Sequence, residues 1–280
     1  MTAYGLCMKL RRALAAVTLP VLLLAACGDD EDGEDAAPTT TTAEGTSTTE
    51  AGDEVLDILV TNDDGYAAPG IDAVVEALRA MDDVTVTVVA PAGNQSGTGD
   101  KTTPGELAVA DVKTASGYEA KSVAGFPGDT VIVALDELGL EPDLVVSGTN
   151  IGQNIGPFSQ VSGTVGAVKT AARRGIPGLA ASTGTGDAPD FAESAQHVVE
   201  WVEEHREELL AEDVEPFVES INTPSCPGED RGVVEVPLAT DFKERDAFAV
   251  DCASTKAEDA LADDVDAFLN GYTSLTEIAF

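Results

Sequence analysis

The sequence predicts an α/β fold of three layers, α/β/α, around a mainly parallel sheet. Three observations lead there. Val55, Leu56, Ile58, Leu59 and Val60 form a nearly continuous apolar run, as does Leu144-Val145-Val146, the pattern of strands covered on both faces. Between such runs, apolar residues recur at helical spacing. Several runs also stop abruptly in short polar, glycine-containing turns, the usual ligand end of an open α/β sheet.

Taken in order, the first strand ends in Asn62-Asp63-Asp64-Gly65. Ile71, Val74, Val75 and Leu78 then repeat at i, i+3, i+4 and i+7, the stripe of an amphipathic helix. Val84, Val86, Val88 and Val89, with threonines interleaved, make a second strand, so the unit is β-α-β with a right-handed crossover. A polar loop follows, Pro91-Ala-Gly-Asn-Gln-Ser-Gly-Thr-Gly. The short runs 107–110 and 118–123 suggest an antiparallel excursion. Gly125-Phe-Pro-Gly-Asp-Thr opens a helix over 131–138 that Gly139 ends. The strand 144–146 stops in Ser147-Gly148-Thr149-Asn150, and Ser162-Gly163-Thr164 begins a helix reaching about Arg174. Ser162 suits the N-cap, and the free amides behind it form an anion site. A strand at 176–182 precedes a long helix at 191–210 with Ala195, Val198, Val199 and Val202 inward. His197 and His205 on that helix have no carboxylate partner identifiable in sequence and read as surface or boundary residues. A strand at 217–221 follows, and the tail holds short strands and an Asp-rich helix near 257–269. The whole is Rossmann-like, with a small antiparallel and C-terminal excursion.

Composition bounds the function. The 280 residues are 43% hydrophobic, enough for one sizeable core. Fifteen basic against 51 acidic residues leave a formal charge of −36, which excludes a nucleic-acid surface and attraction to anionic lipid. Phosphorylated substrates are also repelled unless a bound cation reverses the local field.

The N-terminus reads as targeting information. Lys9, Arg11 and Arg12 precede a 14-residue apolar stretch, Ala13–Ala26, too short to span a bilayer comfortably but suited to a signal peptide. It ends in Leu24-Ala25-Ala26-Cys27, which resembles a bacterial lipobox. By that resemblance, residues 1–27 are a lipoprotein signal peptide, Cys27 is lipidated, and the protein is exported and anchored to the outer face of the cell membrane. Met8 is an alternative start to Met1. Residues 28–54 hold ten acidic residues, seven threonines and no Lys or Arg, so they form a disordered, self-repelling tether. Loss of residues 1–27 removes three basic and no acidic residues, leaving 12 against 51, or −39. The folded domain is 55–280. Its two cysteines, Cys226 and Cys252, are able to pair in an oxidising compartment, but sequence leaves their separation open.

The polar strand ends supply hard oxygen donors: Asp63, Asp64, Ser96 and Asn150. Such a set suits Mg²⁺ or Mn²⁺ rather than structural zinc. With an anion-binding helix start beside it, the arrangement points to phosphoester hydrolysis.

Four motifs occur in order: Thr61-Asn-Asp-Asp-Gly, Ala90-Pro91 followed by Asn94-Gln-Ser-Gly, Ser147-Gly-Thr-Asn-Ile-Gly-Gln-Asn, and Ser162-Gly-Thr-Val-Gly-Ala. Together they resemble the SurE family of stationary-phase survival phosphatases, 5′/3′-nucleotidases. Gly125-Phe-Pro-Gly-Asp-Thr, Ile221-Asn-Thr-Pro and Gly271-Tyr-Thr-Ser-Leu-Thr extend the likeness to about 57–276. The resemblance implies that Asp63, Asp64, Ser96 and Asn150 hold the metal and that Asn154, Ser162, Gly163 and Thr164 contact phosphate. It also implies catalytic roles for Asp63 and Asp64, and a homodimer with the C-terminal segment exchanged or packed between subunits. The chain departs from the family at Ala92-Gly93, Gln95, Val161 and Thr130, where basic residues, an aromatic and a cysteine are common. The alternative to an enzyme is a metal- and nucleotide-binding lipoprotein without turnover.

Overall fold

The computed structural model describes residues 54–186 and 189–280. The expected signal peptide 1–27, the lipidation site Cys27 and the tether 28–54, save its last residue, lie outside them.

Nine strands are present among the described residues: β1 (Leu56–Thr61), β2 (Val84–Pro91), β3 (Val109–Lys113), β4 (Glu119–Val123), β5 (Leu144–Ile151), β6 (Gly178–Thr183), β7 (Val218–Thr223), β8 (Val233–Glu235) and β9 (Thr273–Glu277). They form one sheet in the order β3-β4-β2-β1-β5-β6-β7-β9-β8. The pairs from β4 to β7 are parallel, whereas β3 on β4 and β9 on β7 are antiparallel. The excursion is therefore a hairpin, β3–β4, whose second strand joins the parallel sheet.

The helices are α1 (Pro69–Leu78), α2 (Pro127–Ile132), α3 (Gly163–Ala172), α4 (Phe191–Leu209) and α5 (Asp264–Leu269). Along β1, Leu56, Ile58 and Val60 pack in a core with α1 and α4, whereas Leu59 joins the opposite core with α2 and α3. The strand alternates normally, but both faces are covered, so Leu56, Ile58, Leu59 and Val60 are all apolar, with only Asp57 exposed. Ile71, Val74, Val75 and Leu78 of α1 are all fully buried, each contributing roughly 1.5–3 kcal/mol.

Four expectations change. The helix after Gly125 begins at Pro127, where Asp129 accepts the Phe126 amide hydrogen at 2.8 Å, and it widens to a π-helical turn over 133–137. On α4, Trp201 is buried while Val199 is only partly so. The Asp-rich helix at 257–269 is two pieces, a short 3-10 turn at Glu258–Ala260 and then α5. The break arises at Asp263, which is extended, caps α5 by accepting from the Asp266 amide at 2.9 Å, and pairs with Arg245. His197 does have carboxylate partners: its Nε2 lies 3.1 Å from Asp230 and its Nδ1 3.4 Å from Glu200. Asp230 is 33 residues away along the chain, which hides the pair from any local pattern.

A third, smaller core of Ile155, Ala239, Val265 and Phe268 anchors the C-terminal part. There Cys226 and Cys252 form a disulfide, their α-carbons 5.6 Å apart.

Candidate active site

The first polar turn is built by Asn62. Its fully buried amide donates to the Gly65 carbonyl at 3.0 Å and accepts the Gly65 N–H at 3.1 Å, closing a tight loop at the end of β1. Gly65 has φ +102°, and a Cβ there would meet the Gly93 backbone at 3.1 Å. Asn62 thus shapes the turn, and the turn presents the two carboxylates.

Asp63 is 3% exposed, and one of its oxygens accepts from the Thr164 hydroxyl at 2.9 Å. Asp64 is more open, accepting from Asn94 at 2.7 Å and from the Ile151 amide at 3.2 Å. Burial, and after it the Asp64 charge, pushes the Asp63 carboxyl up to about 6; burial also raises Asp64. The loop after β2 bonds directly to the turn, its Gln95 amide donating to the Asp63 carbonyl at 2.6 Å. Ser96 sits exposed in that loop.

On the other side of β1, β5 leaves its register with β6 between Ser147 and Asn150. Such an irregularity re-aims a side chain at a strand end. Asn150 is buried and donates its amide to the Gly152 carbonyl at 2.5 Å, which leaves its oxygen as the available acceptor. Asn154 is also buried and donates to the Ser182 hydroxyl at 2.8 Å. Ser162 caps α3 by accepting the Val165 N–H at 3.2 Å. Gly163 lies against Asp63 so closely that a Cβ would come within 2.8 Å of the Asp63 Cβ.

These pieces enclose a cavity of about 250 Å³ at the carboxyl ends of β1, β2 and β5. The chain leaves β1 for β2 on one side and returns to β5 on the other, so the cavity lies where the strand order reverses. Asp63, Ser96, Asn150, Asn154 and Ser162 line it. Asp64, Gly163 and Thr164 stand just behind, touching the lining through Asn94, Ile151 and Asp63. The eight residues singled out from sequence are therefore gathered at one site. No Lys, Arg or His is among the lining residues.

The lining also includes Ile151, Gln153, Phe158, Val161 and Phe248. Gln153 belongs to the Asn-Ile-Gly-Gln-Asn run, but sequence alone gives it no role. Phe248 is remote from every motif, and nothing in its neighbourhood signals a site.

The sequence profile described as "Survival protein SurE" matches residues 58–246. Among named relatives, "5'-nucleotidase SurE" of Methanoculleus marisnigri is 44% identical over 144 residues, 51% of this chain and 54% of that protein. The same-named protein of Halobacterium salinarum is 50% identical over 127 residues, 45% of this chain and 46% of its own length. The chain thus matches only about half the length of such relatives. A longer match is "5'-nucleotidase SurE" of Methylococcus capsulatus, 32% identical over 236 residues, covering 80% of this chain and 91% of that protein. The crystal structure of the SurE protein from Aquifex aeolicus superposes with a TM-score of 0.64 at 29% identity, over 79% of this chain and 92% of the other. With the profile spanning 58–246 of 280 residues and the fold shared, the chain belongs to the SurE family.

Proposed function

We propose that this protein is a metal-dependent phosphomonoesterase that hydrolyses nucleoside 5′/3′-monophosphates or similar small phosphoesters. The observation that carries the reading is Asp63: a carboxylate almost wholly buried beside a second carboxylate, in a cavity without a basic side chain. An anionic substrate enters such a cavity only with a cation. The donors fit a hard divalent ion, since Asp63, Asp64, Asn150 and Ser96 offer oxygen alone. The nucleotidase names of several relatives support the same substrate class.

When bound, Mg²⁺ or Mn²⁺ contributes charge neutralisation and Lewis acidity toward a phosphoryl oxygen. The chain's own residues do the rest. The first-turn amide of α3 at Gly163, with the Ser162 hydroxyl, holds the phosphate in line with the helix dipole, while the backbone and hydroxyl donors of Thr164 are turned to Asp63 beside it. Asn154, fixed by Ser182, adds an orienting contact. Thr164 fixes the rotamer of Asp63, which takes the proton of the attacking water. Asp64 supports the adjoining loops through Asn94 and Ile151 while contributing its charge.

Purified protein with Mg²⁺ or Mn²⁺ is expected to release phosphate from nucleoside monophosphates. EDTA abolishes this, and Asp63→Asn lowers it by roughly 10²–10⁴-fold. No release from a panel of monophosphates with either metal overturns the reading and favours a binding lipoprotein, which calorimetry then detects as nucleotide binding without turnover. We propose further that residues 1–27 are removed, that lipidated Cys27 anchors the protein outside the cytoplasm through the tether 28–54, and that the folded domain, 55–280, works as a homodimer. Mass spectrometry of the mature N-terminus and light scattering test these points.

A further inference from the structure

Among the described residues seven large hydrophobic side chains are exposed, and three of them, Ile151, Val161 and Phe248, line this one cavity. Phe248 is 62% exposed, the highest of the seven. A protein rarely leaves such side chains around a polar cleft without something to cover them. Phe248 is also held in place. The ring of Phe158 stands 6.1 Å from it at 44°, and Phe158 is backed by Phe242 at 4.7 Å. The preceding carbonyl, of Ala247, accepts from Gln153 Nε2 at 2.6 Å, and Asp246 accepts the Phe248 amide hydrogen at 3.0 Å. Four residues further on, Cys252 is bonded to Cys226.

A second observation comes from Gln153. It is 5% exposed, lines the cavity, and its Oε1 has no hydrogen-bond partner. A buried acceptor left unpaired is costly, so a ligand offering an N–H at this wall is favoured. The cavity wall therefore carries an apolar ring and an orphan acceptor, with no Lys, Arg or His among its lining residues.

We propose that Phe248, backed by Phe158 and kept at the cavity mouth by Gln153 and the Cys226–Cys252 bond, is a stacking wall for the nucleobase of the substrate. The ligand class is a planar, uncharged heteroaromatic ring with an N–H edge, carried on a phosphate monoester. This rests on the phosphomonoesterase reading and adds the base to it. Aromatic stacking is sequence-tolerant, so the wall selects nucleotides over sugar phosphates rather than one base over another.

The test compares adenosine 5′-monophosphate with ribose 5-phosphate, which lacks the base, using the full oxidised protein with Mg²⁺ or Mn²⁺. The wild type is expected to show the lower KM for adenosine monophosphate. Phe248→Ala raises that KM about tenfold relative to the KM for ribose 5-phosphate, with little change in kcat, and Phe248→Trp restores the preference. Turnover of ribose 5-phosphate reports that each variant is folded. An unchanged KM ratio in Phe248→Ala, or a lost preference that Phe248→Trp fails to restore, overturns the stacking wall and leaves the phosphatase reading standing. If the wild type releases phosphate from neither compound, that reading fails; calorimetric titration with adenosine monophosphate then decides the wall alone, since affinity unaltered by Phe248→Ala overturns it.

Discussion

At the scale of single residues the site depends on contact between two neighbours that are a hundred positions apart in sequence. Gly163 has no room for a side chain, because a Cβ would meet the Asp63 Cβ at 2.8 Å and Oδ2 at 3.0 Å. Gly163→Ala must therefore push Asp63 away from Thr164 or shift the start of α3. The cost of overpacking is typically about 1–3 kcal/mol, and Asp63 is the side chain that yields. The expected result is a protein that still folds, with a melting temperature lowered by a few degrees and phosphate release reduced by about 10–100-fold, the range found when an orienting partner is lost. Activity equal to wild type in Gly163→Ala removes Asp63 from the proposed mechanism. The other glycine of note, Gly65, acts through φ, giving the turn that aims Asp63 and Asp64 in different directions.

At the scale of elements, α4 is clasped to the loop before β8 by the ion pair of His197 with Asp230. Burial pulls the His197 imidazole down, but the hydrogen bond and charge of Asp230, with Glu200 adding to them, more than reverse this and leave its pKa raised. Asp230 is likewise desolvated, yet its bonds from His197 and Thr273 leave it lowered. A raised histidine contributes stability that is complete below its unfolded pKa, near 6.5, and is lost as pH rises through the higher folded value. The aspartate contribution is present above about 3.9 and is lost as pH falls through its folded value. The clasp therefore holds most strongly between about pH 4 and 6.5. His197→Gln is expected to lower the melting temperature most near pH 6 and little at pH 9, measured by calorimetry in matched buffers. A difference that grows toward pH 9 contradicts the assignment.

At the scale of the whole molecule the C-terminal strand β9 is tied into the sheet, but the loops around Phe248 rest on the third core, which has four buried members. The disulfide reinforces them. Cys226 and Cys252 are 26 residues apart, and cross-linking a loop of that length stabilises a fold by about 3 kcal/mol through the unfolded chain. In a domain of this size that is worth about 6–12 °C. Cys226→Ser with Cys252→Ser is expected to lower the melting temperature by that amount, and an equal loss is expected from reduction of the wild type. A melting temperature unaffected by either treatment shows that the segment is held by its packing alone. A bond of this kind also suits an exported protein, as the proposed anchor requires.

Much of this was legible in the sequence by itself. Continuous apolar runs marked β1 and β5 because both sheet faces are covered, period-3.6 stripes marked α1 and α4, and the Ser162 cap marked the start of α3, a helix buried on nearly every side. That the candidate residues from Asp63 to Thr164 lie together follows for a related reason, since in a parallel sheet polar turns after successive strands converge at one edge; their individual roles come from the family resemblance. Other features were decided only by tertiary structure. The pairing of His197 with Asp230, the disulfide between Cys226 and Cys252 and the arrival of Phe248 at the cavity all join segments with no periodic signal between them. Loops of the C-terminal part carry no pattern that states where they pack; their places follow from a small core and one covalent bond, and so appear only once the chain is folded.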